Sequence, residues 1–423
     1  MSGFEVVAIL AIGFQSFLLF LALFEPSLRY KIARPPGAPL DTPEFDRILA
    51  TLADSSVHSE TTIEVLTNGE AYYEAELAAI RQAQRSVNLE AYIFQKGEVT
   101  KRFIEALAER ARAGVKVNLV LDAIGSFATW NSYLKPLTDA GGRVGWYHGF
   151  KWHQLPRLNS RTHREIIVVD CKTAFVGGAG FADHWLISRK NHPRWRDTMC
   201  RIEGDAVASI QSTFLENWLE ATGELLTDEE YFCFDGKPSE TQTLVIDSSL
   251  TSGQSTRARM LFQTLLASSK DCIEITTPYF LPDKGLRKEL VRALQRGVKL
   301  TVLCPGSHND HLVTRRASRR LYGDILEAGG EIHEYKASMI HAKVLVVDRK
   351  WSVFGSTNMD HRSFSINDEV NVASNDRNLA ARFHEDFVND LASSKQITYS
   401  KWKHRPLLER VVEGVGKVFE RQQ

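Results

Sequence analysis

One short polar pattern occurs twice in this sequence, and the repeat constrains the fold more than any other feature. The clearer copy runs from Met339 to Asp348 and continues into Phe354-Gly-Ser-Thr-Asn358. The earlier copy runs from Arg161 to Asp170 and continues into Phe175-Val-Gly-Gly178. In both copies the same spacing separates the histidine, the aspartate and the glycine that follows. Two copies in one frame predict an internally duplicated chain.

The second copy carries the residue types that bind and attack phosphate. His341 and Lys343 are two residues apart in an apolar run. If that run is a strand, both side chains point to the same face. The glycine loops that follow, with Gly178 in the first copy and Ser356 and Asn358 in the second, offer backbone N–H groups and polar side chains to an anion. A histidine with a lysine and such donors indicates chemistry on a phosphate group.

The duplication also explains how one site could hold two histidines. An in-line displacement at phosphorus needs one group that attacks and another that protonates the leaving oxygen on the opposite side. Two halves packed about a pseudo-two-fold axis would supply His163 and His341 in that relation. We therefore expect the active site at the interface between the halves.

At these residues the chain resembles the phospholipase D superfamily, whose mark is a duplicated HxK(x)4D(x)6G[SG] motif. Within that superfamily it is most similar to bacterial cardiolipin synthases, over roughly residues 60–400. The resemblance implies a two-step mechanism without metal or cofactor. It further implies that His163 is the nucleophile that becomes a phosphohistidine, and that His341 is the general acid and base.

Each histidine needs a carboxylate that orients its ring, as in other nucleophile–base systems. Glu369 follows His341 in Asn367-Asp-Glu-Val-Asn371, and Asp197 follows His163 in Arg194-Trp-Arg-Asp-Thr198. The superfamily has acidic residues in similar downstream places. Each could instead form a surface ion pair.

The aspartates inside the two motifs are candidates of a different kind. Asp170 and Asp348 each stand at the end of an apolar run that reads as a strand. We expect them to hold the turn after the motif strand rather than to take part in the chemistry.

The first motif departs from the superfamily pattern at two positions. Glu165 stands where the pattern has lysine, and Gly180 stands where Asn358 stands in the second motif. Three explanations remain open for Glu165. Arg161 could neutralise it and bind the phosphate; the carboxylate could turn away and leave Lys343 as the main cation; or the first motif is damaged and activity is weak or absent.

Strand-like and helix-like segments alternate in the same order in both halves, which is typical of α/β layers around buried sheets. The resemblance implies two duplicated phospholipase-D-like halves, each a mixed sheet flanked by helices. The predicted divisions are a transmembrane anchor at 1–28, a linker at 29–60, the first half at 61–227, a connector at 228–241, the second half at 242–398 and an amphipathic basic tail at 399–423.

The N-terminal segment predicts a membrane anchor. Val6 to Phe24 carries no charge, and such a helix is about 28 Å long, close to the roughly 30 Å core of a bilayer. A cleaved signal peptide fits less well because Glu5, not a basic residue, precedes the run. Basic residues follow it, so the positive-inside rule places the catalytic part in the cytoplasm, at the inner membrane. A buried or interfacial helix is the alternative.

Charge and composition bear on the partners. Lys+Arg and Asp+Glu number 52 each, so no net charge favours nucleic acid, and basic and aromatic residues are not interleaved as single-stranded nucleic acid requires. The five cysteines are scattered, which argues against a disulfide framework or a zinc site. Nothing in the sequence indicates an oligomeric state.

Two further segments favour a phospholipid as substrate. The tail from Pro406 to Gln423 has an apolar face with basic residues beside it, which suits an anionic membrane surface, although it could also pack on the domain. Four arginines lie on one predicted helix, where a solvated basic face is the alternative: Arg315, Arg316, Arg319 and Arg320.

The predicted function is a phosphatidyltransferase of the cardiolipin synthase type. It would move a phosphatidyl group from one phosphatidylglycerol to a glycerol hydroxyl of another and release glycerol. A phospholipase D that hydrolyses phospholipids is one alternative. A membrane-anchored scaffold with a degenerate first motif is the other.

Overall fold

The computed structural model describes residues 2–23, 31–149, 157, 159–190, 192–232, 241–249 and 256–406. Residues 407–423, the greater part of the tail predicted at 399–423, lie outside this range. So do the last residue of the predicted membrane segment, Phe24, and residues 233–240 of the predicted connector.

Twelve helices are described: α1 Gly3–Leu23, α2 Pro43–Ala53, α3 Gly69–Gln82, α4 Glu98–Arg112, α5 Asn131–Asp139, α6 Ala206–Thr222, α7 Arg257–Ser268, α8 Lys284–Gln295, α9 Leu312–Glu327, α10 His361–Ser365, α11 Arg377–Ala392 and α12 Tyr399–Lys403.

The described strands are β1 Val57–His58, β2 Thr61–Thr67, β3 Ser86–Ala91, β4 Lys116–Asp122, β5 Arg143–Tyr147, β6 Ile166–Val169, β7 Thr173–Gly177, β8 Thr198–Gly204, β9 Thr243–Ser248, β10 Cys272–Thr276, β11 Lys299–Pro305, β12 Glu331–Tyr335, β13 Val344–Val347, β14 Trp351–Gly355, β15 Glu369–Ser374 and β16 Ser394–Ile397.

The strands form two mixed sheets with the same core topology. The seven-stranded sheet has the order β2-β8-β7-β6-β3-β4-β5, and the nine-stranded sheet has the order β1-β9-β15-β14-β13-β10-β11-β12-β16. In the smaller sheet β3, β4 and β5 run parallel, and β6 pairs antiparallel with β3. In the larger sheet β10, β11 and β12 run parallel, and β13 pairs antiparallel with β10. The predicted class, a mixed α/β fold of two sheets flanked by helices, is confirmed.

Buried apolar side chains from both sheets meet in one cluster. Ile166 and Val176 of the first sheet lie in it with Val346 and Val372 of the second. Helices α6 and α11 contribute to the same cluster, which includes Phe383. The two sheets are thus joined through a shared core, and each has a further core on its other side.

Helix starts follow the local sequence. In α2 the hydroxyl of Thr42 accepts a hydrogen bond from the N–H of Phe45, and a proline occupies the first turn. Asp283 caps α8 and Asp376 caps α11 in the same way, through their carboxylates. Such caps satisfy N–H groups that have no partner inside the helix.

Ordered structure continues into the predicted linker. Phe45 and Leu49 of α2 are fully buried in the core of the second half, and Trp351 donates its indole N–H to the carbonyl oxygen of Leu40 at 2.9 Å. Strand β1 pairs with β9. Residues before the predicted start of the first half therefore pack on the second half.

The predicted anchor forms a helix, α1, with exposed apolar side chains such as Phe4, Leu10 and Phe14. Within the described part of the chain, no helix meets the length and hydropathy needed to cross a membrane.

Candidate active site

The two motif histidines lie just outside the strands that follow them. β6 begins at Ile166 and β13 at Val344, so the prediction that His341 and Lys343 lie on a strand is wrong. The reason is that each segment bonds to the opposite half. His163 donates its backbone N–H to the carbonyl oxygen of Asp368 at 2.8 Å, and His341 donates to that of Arg196 at 2.7 Å.

His163 is held by a carboxylate of the second half. Its Nδ1 lies 3.1 and 3.0 Å from the two carboxylate oxygens of Glu369, which is fully buried. The hydroxyl of Ser356 donates to the same carboxylate, and Ser356 in turn accepts the N–H of Val370 at 3.0 Å. The ring of Tyr92 packs edge-on against the imidazole, with centroids 5.3 Å apart. These contacts leave Nε2 as the reactive nitrogen.

His341 is held by a carboxylate of the first half. Its Nδ1 lies 2.8 Å from Oδ2 of Asp197, and both side chains are buried. Trp185 donates its indole N–H to the same oxygen at 2.9 Å, and the N–H of Thr198 donates to the other at 2.8 Å. Burial raises the pKa of Asp197, but the hydrogen bond with His341 and the charge of His341 hold that pKa below its usual value.

The carboxylates therefore cross between the halves. Glu369 follows His341 in the sequence but contacts His163, and Asp197 follows His163 but contacts His341. Both predicted carboxylates reach a histidine, and each reaches the histidine of the other half. The packing of the two halves thus completes both histidine–carboxylate pairs.

Lys343 lies against His341. Its Nζ is 2.8 Å from Nδ1 and 3.1 Å from Nε2 of the ring, and it donates to the carbonyl oxygen of Gly178 at 3.3 Å. Burial lowers the pKa of Lys343, although the negative charges of Asp197 and Glu369 act to raise it. Burial and the charge of Lys343 also lower the pKa of His341. A proton on His341 is thus more readily released than from a free imidazole.

Gly178 is close to the centre of this site. A Cβ at this position would lie 2.8 Å from Oδ1 of Asp197 and 2.9 Å from Cδ of Lys343. A side chain here would displace one of them, so glycine is required for the approach of both groups.

Glu165 turns away from the histidines. Its Oε1 accepts the backbone N–H groups of Tyr92 and Ile93 at 3.2 and 3.3 Å. The carboxyl group is buried, and burial raises the pKa of Glu165 well above its usual range. Because Oε1 faces these backbone donors, the second of the three explanations for Glu165 fits the structure.

Arg161 does not pair with Glu165, and that explanation was wrong. Its guanidinium donates to the carbonyl oxygens of Ser160 and His148 and lies 3.4 Å from a carboxylate oxygen of Asp122. Asp122 also accepts the N–H of Thr162 at 3.2 Å. Arg161 therefore fixes the chain before His163.

The motif aspartates hold backbone. Asp170 accepts the N–H groups of residues 84–86, and Asp348 accepts those of residues 270–272, at 2.7–3.2 Å. Both have a positive φ of 53° at the end of the motif strand. These contacts tie the hairpin turn to the start of β3 and β10, and they give neither aspartate a contact with a motif histidine.

The remaining predicted ligands have mixed positions. Ser356 was expected to bind an anion, but its hydroxyl donates to Glu369. Asn358 is buried, donates its backbone N–H to Ser363 at 3.2 Å, and keeps Oδ1 without a partner among the described residues. On α9, Arg315 and Arg319 lie 3.2 and 3.5 Å from Glu334, so this part of the basic cluster is paired internally.

Three residues of the site were missed from the sequence: Tyr92, Trp185 and Asp122. Trp185 offers the only usable signal, because a buried indole N–H needs an acceptor. Nothing in the sequence pairs Tyr92 or Asp122 with the first motif, because strands β3 and β4 bring them there through the sheet.

Comparisons with known proteins agree with this geometry. The family described as "Cardiolipin synthase, PLD-like domain" matches residues 77–218 and 262–391. A cardiolipin synthase of Alkalihalophilus pseudofirmus is 32% identical over 379 residues, which cover 88% of this chain and 74% of the relative. A cardiolipin synthase of Geobacillus kaustophilus is 31% identical over 435 residues, covering 96% of this chain and 85% of the relative.

A solved structure shares the fold at much lower identity. The phosphatidylserine synthase of Haemophilus influenzae Rd KW20 superposes with a TM-score of 0.67 at 15% identity, over 89% of this chain and 97% of that one. This likeness supports the two-sheet architecture alone.

Proposed function

This chain belongs to the family of cardiolipin synthases with a phospholipase-D-like domain, and we propose that its two crossed histidine–carboxylate pairs transfer a phosphatidyl group between phosphatidylglycerol molecules. It is a phosphatidyltransferase of the cardiolipin synthase type. The observation that carries the proposed mechanism is that each motif histidine is oriented by a buried carboxylate of the other half.

The first step forms a covalent intermediate. Glu369 holds Nδ1 of His163, so Nε2 attacks the phosphorus of phosphatidylglycerol, and an N–P bond forms. The bond between phosphorus and the oxygen of the glycerol headgroup breaks. Nε2 of His341 gives its proton to that oxygen, and glycerol leaves.

The second step returns the enzyme to its starting state. His341 takes the proton from a hydroxyl of a second phosphatidylglycerol, whose oxygen attacks phosphorus. The N–P bond to His163 breaks and cardiolipin is released. Asp197 stabilises the imidazolium form that His341 has before the first step and regains in the second, through its 2.8 Å contact with Nδ1.

Lys343 supplies positive charge beside the reacting phosphate. It is buried between His341 and Gly178, and the lysine of the first motif is replaced by Glu165. Because Glu165 is turned into backbone N–H groups, a first motif without lysine remains compatible with catalysis. This arrangement favours an active enzyme over a scaffold.

The N-terminal segment is proposed to keep this enzyme at the bacterial cytoplasmic membrane, with the catalytic part in the cytoplasm. The support is the apolar character of α1, whose side chains Phe4, Leu10 and Phe14 are exposed, and the basic residues Lys31 and Arg34 that follow. Deletion of residues 2–23 should move the protein from the membrane fraction to the supernatant; unchanged fractionation would contradict the anchor.

Product analysis tests the proposed function. Full-length protein is incubated with phosphatidylglycerol in detergent micelles, and lipids are identified by mass spectrometry. We expect cardiolipin and free glycerol, both lost in His163→Ala and in His341→Ala. His384→Ala is the matched control, because His384 contacts Glu274 outside the site, and it should retain activity.

Other products would redirect the proposal. Phosphatidic acid in place of cardiolipin would identify a hydrolase. If no lipid product forms in the wild-type protein, the transferase proposal fails and the scaffold alternative stands.

A further inference from the structure

The two motifs of this chain differ at matched positions, and the structure shows that the differences touch each other. Lys343 and Asn358 of the second motif correspond to Glu165 and Gly180 of the first. Lys343 points to the histidine of its own motif, whereas Glu165 points to the backbone that follows β3. The residue at this position therefore contacts backbone in the first motif and the histidine in the second.

Glu165 is fixed in a narrow buried position. The residue is 4% exposed, and Oε1 accepts the N–H groups of Tyr92 and Ile93. Oε2 is buried and has no hydrogen-bond partner among the described residues. Burial raises the pKa of Glu165 well above its usual range, whereas the two backbone N–H groups and the charge of Lys343 lower it.

Gly180 leaves the room that this position needs. A Cβ at Gly180 would lie 2.9 Å from Oε1 of Glu165, and 2.8 Å from the carbonyl oxygen of Ile93. The backbone at Gly180 cannot easily move aside, because its carbonyl oxygen accepts the hydroxyl of Tyr73 at 2.6 Å. An asparagine at position 180, as in the second motif, would push against the Glu165 carboxyl group and the chain it holds.

The contacts continue from Glu165 to the reacting group. The backbone that Glu165 holds belongs to Tyr92, whose ring packs edge-on against His163. The adjoining backbone is fixed from the other side by Ser126, which donates its hydroxyl to the carbonyl oxygen of Tyr92 at 2.9 Å. Loss of the Glu165 contacts would leave Tyr92 less firmly held against the imidazole of His163.

We propose that Glu165 and Gly180 form one positioning unit: the carboxyl group of Glu165 holds Tyr92 against His163, and Gly180 is the residue that makes this possible. The unit leaves Lys343 to provide the charge that a lysine at position 165 would otherwise add. Its catalytic part rests on the proposed function, whereas the contact between the two residues does not.

A neutral, isosteric substitution tests whether the contacts of Glu165, rather than a negative charge, hold Tyr92. Glu165→Gln keeps an acceptor oxygen for the two N–H groups and removes the ionisable proton. We expect kcat/KM for phosphatidylglycerol within threefold of wild type and an unchanged pH profile. Glu289→Gln, a buried carboxyl group on α8 that contacts Arg292 and Arg296, is the control for a general effect of burial. A loss of more than tenfold in Glu165→Gln, with Glu289→Gln intact, would overturn the proposal.

A double-mutant cycle tests the coupling between the two positions. Glu165→Lys and Gly180→Asn should each lower kcat/KM and the melting temperature. The lysine offers the two backbone N–H groups no acceptor, and the asparagine would press on the Glu165 carboxyl group. The double variant, which restores the lysine and asparagine of the second motif, should lose at least fivefold less activity than the product of the single losses. Losses that simply multiply, with additive shifts in melting temperature, would refute the unit.

The two readouts separate this inference from the proposed function. Thermal unfolding measures the coupling between positions 165 and 180 in any folded chain. A wild-type protein that makes no cardiolipin would contradict the proposed function and leave this coupling measurable. Additive melting temperatures in an active enzyme would contradict the unit alone.

Discussion

Replacement of Asp197 by asparagine is the sharpest perturbation of the crossed arrangement. Asp197 belongs to the first half, yet it contacts His341 of the second at 2.8 Å. Its two oxygens also accept the indole N–H of Trp185 and the N–H of Thr198. In Asp197→Asn, the amide NH2 group must face one of these donors, so the variant loses a charge and gains a conflict between donors.

The size of the effect follows from these contacts. A hydrogen bond to a charged group contributes about 1.5–3 kcal/mol. If that stabilisation is lost for the imidazolium form of His341, kcat should fall about 10- to 150-fold, since each 1.4 kcal/mol is a factor of ten. Asp197 also raises the pKa of His341, so its removal should move the alkaline limb of the kcat–pH profile to lower pH.

The assay is steady-state cardiolipin formation from phosphatidylglycerol across a pH series. Asp283→Asn is the control, because Asp283 caps α8 and contacts Arg259 away from the site; it should lower stability without changing kcat. Adding Trp185→Phe to Asp197→Asn should recover thermal stability by removing one donor, and it should not restore kcat. An Asp197→Asn enzyme with kcat within threefold of wild type, and with the alkaline limb in place, would show that Asp197 does not stabilise the imidazolium form of His341.

Three further predictions concern the other buried carboxylates. Glu369→Gln should slow formation of the covalent intermediate by about 10- to 100-fold in rapid-quench experiments. Ser356→Ala should have a smaller effect, because Ser356 acts only through Glu369. Equal effects of the two variants would contradict this difference. Burial raises the pKa of Glu90 to about 7 from 4.5, so its contribution to stability is complete below pH 4.5 and is lost as the pH rises through 7. In thermal unfolding, Glu90→Gln should flatten the fall in stability over that interval. An unchanged pH dependence would contradict this. Asp348→Ala should lower the free energy of unfolding by about 2–4 kcal/mol in urea, because three backbone N–H groups lose their acceptor, while kcat of the folded enzyme stays unchanged; a large loss of kcat in the folded variant would give Asp348 a role in the chemistry.

Glycine residues and apolar runs in the sequence made much of the fold predictable. Glycine pairs immediately precede β5, Arg143–Tyr147, and β12, Glu331–Tyr335, and apolar runs mark other segments. The alternation of such segments also gave the correct class, because each element is set by residues close to it in sequence. The helix α2 was missed within the predicted linker, since its stability comes from burial of Phe45 and Leu49 in a distant core.

The site was predictable in its members and not in its pairings. Two histidines, Lys343 and two carboxylates could be selected from motif spacing. The partner of each histidine is decided by how two sheets pack, and the crossed contacts join residues on different halves that no local pattern relates. The position of Glu165 has the same origin, because β3 brings the backbone of Tyr92 to it.

In the proposed mechanism His163 attacks phosphorus while His341 serves the leaving and incoming oxygens. The most direct measurement uses His341→Ala with phosphatidyl-p-nitrophenol, whose leaving group departs without a proton. We expect one equivalent of p-nitrophenolate in a burst, and a phosphatidyl adduct on His163 by peptide mass spectrometry, because no base remains to activate the acceptor. An adduct on His341 in His163→Ala, with none on His163 in His341→Ala, would contradict the assignment.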